Sequence, residues 1–520
     1  MTDNLPPGVS LSDFESAIGE LRELLPLDSI VIDNPAEVRS YRDPWRVTPE
    51  EVLPSAAVLP RNVEEIQDVL GVARKYRIPL WTISTGKNYA YGGPAPRKAG
   101  YIVLDLKRMN RILEVNEKYG YAVVEPGVSY FDLYNYLQRT GSKLWIDPAA
   151  PGWGGVMGNA LERGAGYTPY GDHFVFQCGM QVVLADGSVV ETGMGALPQS
   201  NTSALHKYGC GPSVDGLFTA SNAGIVTKMG IWLMPEPPGF KAFKISFPNE
   251  TDLVPIMEVL RPLKLNLVIP NGTPVVGPIY ELGHVATRAQ YQDGKGPISE
   301  DALRKLVSDY DVGMWNVYSA FYGPPPIIEN NWKVVEEAFR SIPGGKIYLE
   351  GDRPHDEAFK YRIELMRGIP NMAEYGVVNW AGGAGHLDFV PVSPINGEEA
   401  LRQFYAMKER LGEYKLDYCG EFMAAWRFMA HVNLILFDVF DLDEKARVNE
   451  CYNHLIDDAV ELGYSEYRTH PDYMDKIANT YSWNDHSLLK THEKIKDAID
   501  PRGILAPGKS GVWPKHLRAG

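Results

Sequence analysis

The chain has 520 residues, 44% of them hydrophobic, and a formal net charge of -15. That length allows about three domains or two large ones, and the acidic balance argues against a nucleic-acid partner, which needs a basic stripe. Cys178, Cys210, Cys419 and Cys451 are widely spaced and form no CxxC pair. Zinc ribbons and redox dithiols therefore have no support, no metal is expected, and the thiols read as buried in a reducing compartment. The N-terminus lacks the basic and apolar regions of a secretory signal, and no apolar run reaches the ~18 residues of a membrane span. A cytoplasmic protein without membrane contact is expected.

In chain order, Asn62 followed by Val63, Ile66, Leu70 and Ala73 has the spacing of one helical face. Asn62 is the expected N-cap, Glu65 completes a capping-box-like pattern, and the helix should end near Tyr76. PLWTI (79–83) reads as a strand that runs into a glycine loop, STGKNYAYGGPAP (84–96). A second glycine-dense block, WGGVMGNALERGAGYTPYGDHF, covers 153–174. MQVVLADGSVVETG (180–193) reads as a hairpin around an Asp-Gly turn. SNAGIVTKMGIWLMP (221–235) alternates again and stops at proline. After EPPG (236–239) the character changes. Strand-like runs such as FKAFKISF alternate with helical stretches such as ALRKLVSDY until about 466. Within this region GGAGHLDFVPV (382–392) brings a single histidine, His386, into a strand-like run after a slim backbone. The tail returns to glycine and proline in DPRGILAPGKSGVWP (500–514). The organisation expected is an N-terminal domain, a large middle domain and a tail that rejoins the first.

Each glycine loop alone reads either as a tight turn or as a nest of backbone N–H groups around a phosphate. Ser84, Thr85 and Asn88 would add hydrogen bonds to such a nest. Neither a Walker A pattern nor a GxGxxG directly after a strand is present, so a Rossmann site is not the reading. Three such blocks far apart suit a long dinucleotide such as FAD, which needs several backbone patches. Lys509, in APGKSG, is either a solvated turn lysine or a cation near a flavin's N1–C2=O edge.

STGKNYAYGGPAP, LEVNEKYGYAVVEPGVSYFDLY, GNALERGAGYTPYGDHF, GLFTASNAGIVTKMGIWLMP, GYSEYRTH and DPRGILAPGKSGVWP together resemble the vanillyl-alcohol oxidase family of FAD-dependent 4-alkylphenol oxidases and hydroxylases. The resemblance runs along nearly the whole chain and is strongest to the bacterial eugenol-oxidase branch. It implies an α+β, two-domain FAD-linked oxidase fold of the vanillyl-alcohol oxidase and p-cresol methylhydroxylase type. The FAD-binding domain would comprise 1–237 and 467–520, and a substrate-binding cap 238–466. Ser84, Thr85, Gly86, Lys87, Asn88, Gly158, Asn159, Gly166, Ile225 and Lys509 would hold the FAD. His386 matches the histidine that carries a covalent 8α-histidyl link, and residues 382–385 are then read as slim to clear the dimethylbenzene edge. The family's tyrosine-linked, cytochrome-coupled branch carries its anchor just before an Asn-Trp pair. Here that position is Val378, before Asn379 and Trp380, which favours the oxidase branch.

Tyr91, Tyr467 and Arg468 match the residues with which the family deprotonates a phenol. Two hydroxyls and a guanidinium can donate to one phenolate oxygen. Hydride then leaves Cα for flavin N5, and the para-quinone methide takes water or loses a β-proton. Two positions depart from the family. In DPAAPGWGG, Ala150 stands where its oxidases carry an aspartate near N5, and Trp45 stands where a second histidine assists flavinylation. If 386–390 is a strand, His386, Asp388 and Val390 share one face. Asp388 is then either the carboxylate missing at Ala150 or a structural aspartate. Ala150, Val390 and Met423 give the side-chain end of the pocket an apolar character, which favours 4-ethyl- or 4-propylphenols and eugenol-like compounds over vanillyl alcohol. The expected activity is a 4-alkylphenol oxidase with molecular oxygen as acceptor and peroxide as product. The alternative is a hydroxylase of the same fold that passes electrons to a cytochrome, a separate chain because no CxxCH lies in this one. An oxidase of sugars or hydroxy acids would have no use for the phenolate triad, and a non-catalytic flavin-binding protein is the remaining reading. A homodimer or larger homo-oligomer is expected from the likeness.

Overall fold

A computed structural model describes residues 4–518. The helix Val63–Tyr76 forms as its spacing requires: the Asn62 side chain accepts from the Glu65 N–H at 2.8 Å, and Ile66, Val69, Leu70 and Ala73 are buried. Glu65 reaches one residue further back than a capping box needs, to the Arg61 N–H at 2.8 Å. The buried stripe packs with Ala56, Val58, Leu80, Ile102 and Leu104. Those residues belong to a four-stranded sheet ordered Ile30–Val31, Ala56–Val58, Ile102–Asp105, Leu80–Ile83, the last three parallel. The tail continues this sheet. The Leu80 N–H donates to the Ile504 carbonyl and the Ala506 N–H to the Leu80 carbonyl, both at 2.7 Å.

A second, antiparallel sheet contains the expected hairpin, Gln177–Val183 with Val189–Glu191, and the long strand Ile225–Trp232. Its turn needs glycine at position 187, where φ is +88°.

The region after Pro235 builds a third sheet, eight-stranded and antiparallel, with Phe240–Phe247 and Trp315–Tyr322 at one side. Gly420–Ala424, Phe428–Asp438 and Ala384–Phe389 follow at the other. The helices Leu253–Leu265, Pro325–Arg340 and Gly397–Glu413 cover one face through Phe243, Phe247, Trp315, Val335, Phe404 and Phe422. Side chains alternate across the sheet, so Phe422 and Ala424 enter that core while Glu421 and Met423 face a cavity on the opposite side.

Gly383 and Gly385 have a further reason for their size: a Cβ at Gly383 would overlap the Asp438 backbone, and one at Gly385 would run into Val439, so these two glycines let two segments of the chain pack closely. One expectation needs correction: Cys210 is exposed, whereas the other three thiols are buried as expected. Among the described residues no helix is long and apolar enough to cross a membrane.

Candidate active site

The end of the strand Leu80–Ile83 delivers Ser84, Thr85, Gly86, Lys87 and Asn88 to the rim of a cavity of about 430 Å³. The helix Val156–Leu161 brings Gly158 and Asn159 to the same wall, and Gly166, Ile225 and Lys509 complete it. The approach is tight: a Cβ at Gly158 would overlap the Ser84 hydroxyl. Asn159 is held by a buried relay. Its Oδ1 lies 2.5 Å from His173 Nδ1, and His173 Nε2 lies 2.6 Å from Asp147 Oδ2. Lys509 is neither solvated nor unpaired, because its ammonium pairs with Glu162 at 2.7 Å.

His386 enters from the strand Ala384–Phe389, whose alternation sends Leu387 and Phe389 into the opposite core. Its Nδ1 lies 2.8 Å from Asp388 Oδ1. The Trp45 ring packs on the imidazole with centroids 4.7 Å apart, and Tyr375 meets it edge-on at 6.0 Å. Asp388 and Val390 line the cavity beside it, as the period-two reading placed them.

Tyr91, Tyr467 and Arg468 converge on the cavity. The Arg468 guanidinium lies 4.9 Å from the centre of the Tyr91 ring and 5.0 Å from that of Tyr467. Burial works against its charge, but Tyr467 and Tyr91 more than restore it, and its pKa ends above the ordinary range. The Tyr91 hydroxyl is pushed far up by burial and then by Asp388, so it remains a neutral donor. The Tyr467 O–H donates to the Arg163 carbonyl at 2.6 Å and accepts from Arg468 Nη2 at 2.8 Å. In this arrangement the donors not already engaged by the protein are those of Arg468 and Tyr91. Arg468 Nε is buried without a protein partner. In this setting an unmet donor is costly, and a ligand oxygen would relieve it.

Two carboxyls escaped the sequence reading. Glu421 and Glu374 line the cavity together with Tyr167 and Tyr280. Glu374 accepts from Tyr280 at 2.8 Å and from Tyr167 at 2.9 Å. Burial, with Glu374 adding repulsion, pushes the Glu421 carboxyl up to about 8. Glu374 is likewise raised, by burial against the pull of Arg362. Glu421 was accessible to reasoning, since it sits two residues before Met423 in a strand. Glu374 lies in the 3-10 stretch Ala373–Ala381, where no periodicity marks it. The cavity lining thus combines the apolar Ala150, Val390 and Met423 with two acids from elsewhere in the fold.

Every residue expected to bind cofactor or substrate lines this one cavity. Its glycine-lined arm and the unmet Arg468 donor fit a flavin dinucleotide and a small oxyanion. Comparison with known proteins agrees. Residues 54–193 match a family model described as an FAD binding domain, and residues 309–510 one described as the C-terminal domain of FAD linked oxidases. The chain is 41% identical to the 4-cresol dehydrogenase (hydroxylating) flavoprotein subunit of Pseudomonas putida, over 98% of this chain and 97% of that protein. The crystal structure of p-cresol methylhydroxylase with substrate bound matches with a TM-score of 0.96 at 40% identity, covering 98% of this chain and 99% of that one. The isoeugenol complex of the 4-ethylphenol oxidase from Gulosibacter chungangensis matches at 0.97 and 42%, covering 99% and 100%. Full-length similarity of this depth, on a cavity built from the same blocks that carried the resemblance, places the chain in the vanillyl-alcohol oxidase family of FAD-linked oxidoreductases.

Proposed function

We propose that the chain oxidises para-alkylated phenols at the carbon attached to the ring, with dioxygen as the final acceptor. The observation that carries this reading is the buried Arg468, stacked between two tyrosines, with an unmet donor at a cavity whose other wall holds a protonated carboxyl. When bound, FAD supplies a two-electron acceptor for the hydride that leaves the substrate carbon. Ser84–Asn88, Gly158, Asn159, Gly166, Ile225 and Lys509 would hold it, and His386 would anchor it covalently.

The residues of the chain do the rest. Arg468 and the Tyr91 hydroxyl bind the phenol oxygen and favour its anion, since charge-assisted donors stabilise the ionised form. Tyr467, fixed by the Arg163 carbonyl, orients the guanidinium rather than donating to the substrate. An ionised oxygen pushes electron density through the ring and lowers the cost of hydride departure from the para substituent. The para-quinone methide so formed either adds water at Cα or loses a β-proton. Each outcome releases a proton, and Asp388, which lines the cavity, is the acceptor we assign in place of the aspartate absent at Ala150. Glu421, held protonated by burial and by Glu374, is a hydrogen-bond donor to the same pocket. Ala150, Val390 and Met423 shape the alkyl end for ethyl and propyl groups. The names of the two close relatives, a 4-cresol dehydrogenase and a 4-ethylphenol oxidase, support this substrate class.

The test is anaerobic mixing of the purified holoprotein with a panel of 4-substituted phenols while flavin absorbance is recorded. Bleaching with 4-ethylphenol or 4-propylphenol is expected, and a flavin that stays oxidised with all of them would sink the proposal. One observation favours a second reading for the acceptor: the Pseudomonas putida relative is named a flavoprotein subunit, and a separate electron carrier such as a cytochrome would then take the electrons. Peroxide formed at the full turnover rate in air, without added acceptor, decides for dioxygen. Light scattering tests the homodimer or larger assembly that we also infer.

A further inference from the structure

His386 Nδ1 lies 2.8 Å from Asp388 Oδ1, and Nε2 has no hydrogen-bond partner among the described residues. An ionised carboxylate only accepts, so the hydrogen sits on Nδ1 and the lone pair on Nε2. The groups that flank the imidazole offer no base. Trp45 is a donor only, and Tyr375 is pushed far up by burial and by Asp388, so it stays neutral.

We propose that Asp388 is the positioning residue for flavin attachment: it fixes the Nδ1–H form of His386, leaves the Nε2 lone pair free toward the cavity, and takes the Nδ1 proton as the new bond forms. The inference rests on the reading of His386 as the covalent anchor. The bond made is Nε2–C8α and the bond broken is a C8α–H. One hydrogen from the methyl carbon and one from the imidazole leave as protons. Two protons and two electrons end on the ring system, which is thereby reduced. Dioxygen then takes both electrons and two protons as hydrogen peroxide, restoring the oxidised ring. Asp388 thus supplies a base in a chain that carries Trp45 beside its anchor. The other titratable groups that sense Asp388 are Tyr91, Tyr375, Glu374, Glu466 and Cys419, and burial raises the pKa of each.

The experiment follows attachment in full-length protein made without riboflavin, mixed with FAD and sampled over time. Covalent flavin is read by intact mass and by fluorescence after denaturing electrophoresis. Asp388→Asn keeps the shape but cannot take the proton. It should bind FAD to the same extent and attach it about a hundredfold more slowly. 15N-histidine spectra of the wild type, assigned with His386→Ala, must show the Nδ1–H form of His386, which a merely structural Asp388 would not enforce, and this readout stands even if the variant fails to fold. Attachment by the variant at the wild-type rate, or the Nε2–H form in the wild type, would overturn the proposal. Wild-type flavin that washes away on denaturation instead defeats the underlying reading of His386.

Discussion

Glu421→Gln tests the physical account of the pocket most directly. The native carboxyl has its pKa raised from 4.5 to about 8 by burial and by Glu374. At roughly 1.4 kcal/mol per pKa unit, the proton held by the folded chain is linked to about 5 kcal/mol of stability. The sign follows from which state binds the proton. Below the unfolded value both states hold it, and the contribution is fully present. As pH rises toward 8 the unfolded chain releases its proton first, and folding loses about 1.4 kcal/mol per pH unit from this group. Glutamine has the same shape and does not titrate, and its neutrality also relieves Glu374. Urea unfolding followed by tryptophan fluorescence at pH 5.5 and 7.5 should therefore show the wild type losing about 2–3 kcal/mol more than the variant over those two units. A second readout concerns chemistry. The ratio of alcohol to alkene formed from 4-ethylphenol should titrate near pH 8 in the wild type and be flat in the variant. Parallel stability curves for the two proteins would refute the claim that Glu421 is held protonated by its surroundings.

Arg468→Ala should lower turnover by about 10²–10³-fold, the usual cost of one donor at a developing oxyanion, while flavin absorbance per chain stays near the wild-type value. Equal loss of both would reassign Arg468 to cofactor binding. Gly158→Ala forces a Cβ onto the Ser84 hydroxyl and should cost about 1–3 kcal/mol in thermal unfolding together with flavin retention; adding Ser84→Ala should restore much of both. Asn62→Ala removes the cap on the Glu65 N–H and should cost about 1 kcal/mol in urea unfolding with flavin reduction unchanged, which serves as a control remote from the site.

The local elements were legible in the sequence because their causes are local. The apolar spacing and Asn62 cap define Val63–Tyr76, the Asp-Gly turn defines the hairpin closed at Gly187, and alternation defines Phe240–Phe247. The blocks around Ser84–Asn88, His386 and Tyr467–Arg468 identified the family, and period two placed His386 and Asp388 on one face. Only the tertiary structure decided which protons and charges these groups retain, because that depends on partners far away in the chain. Tyr467 donates a hydrogen bond to the carbonyl of Arg163, Lys509 is paired with Glu162, and Gly383 and Gly385 answer to Asp438 and Val439. Glu421 and Glu374 become an acid pair only when a strand and a 3-10 segment bury them together, since burial shifts a carboxyl by several pKa units and no sequence spacing records it.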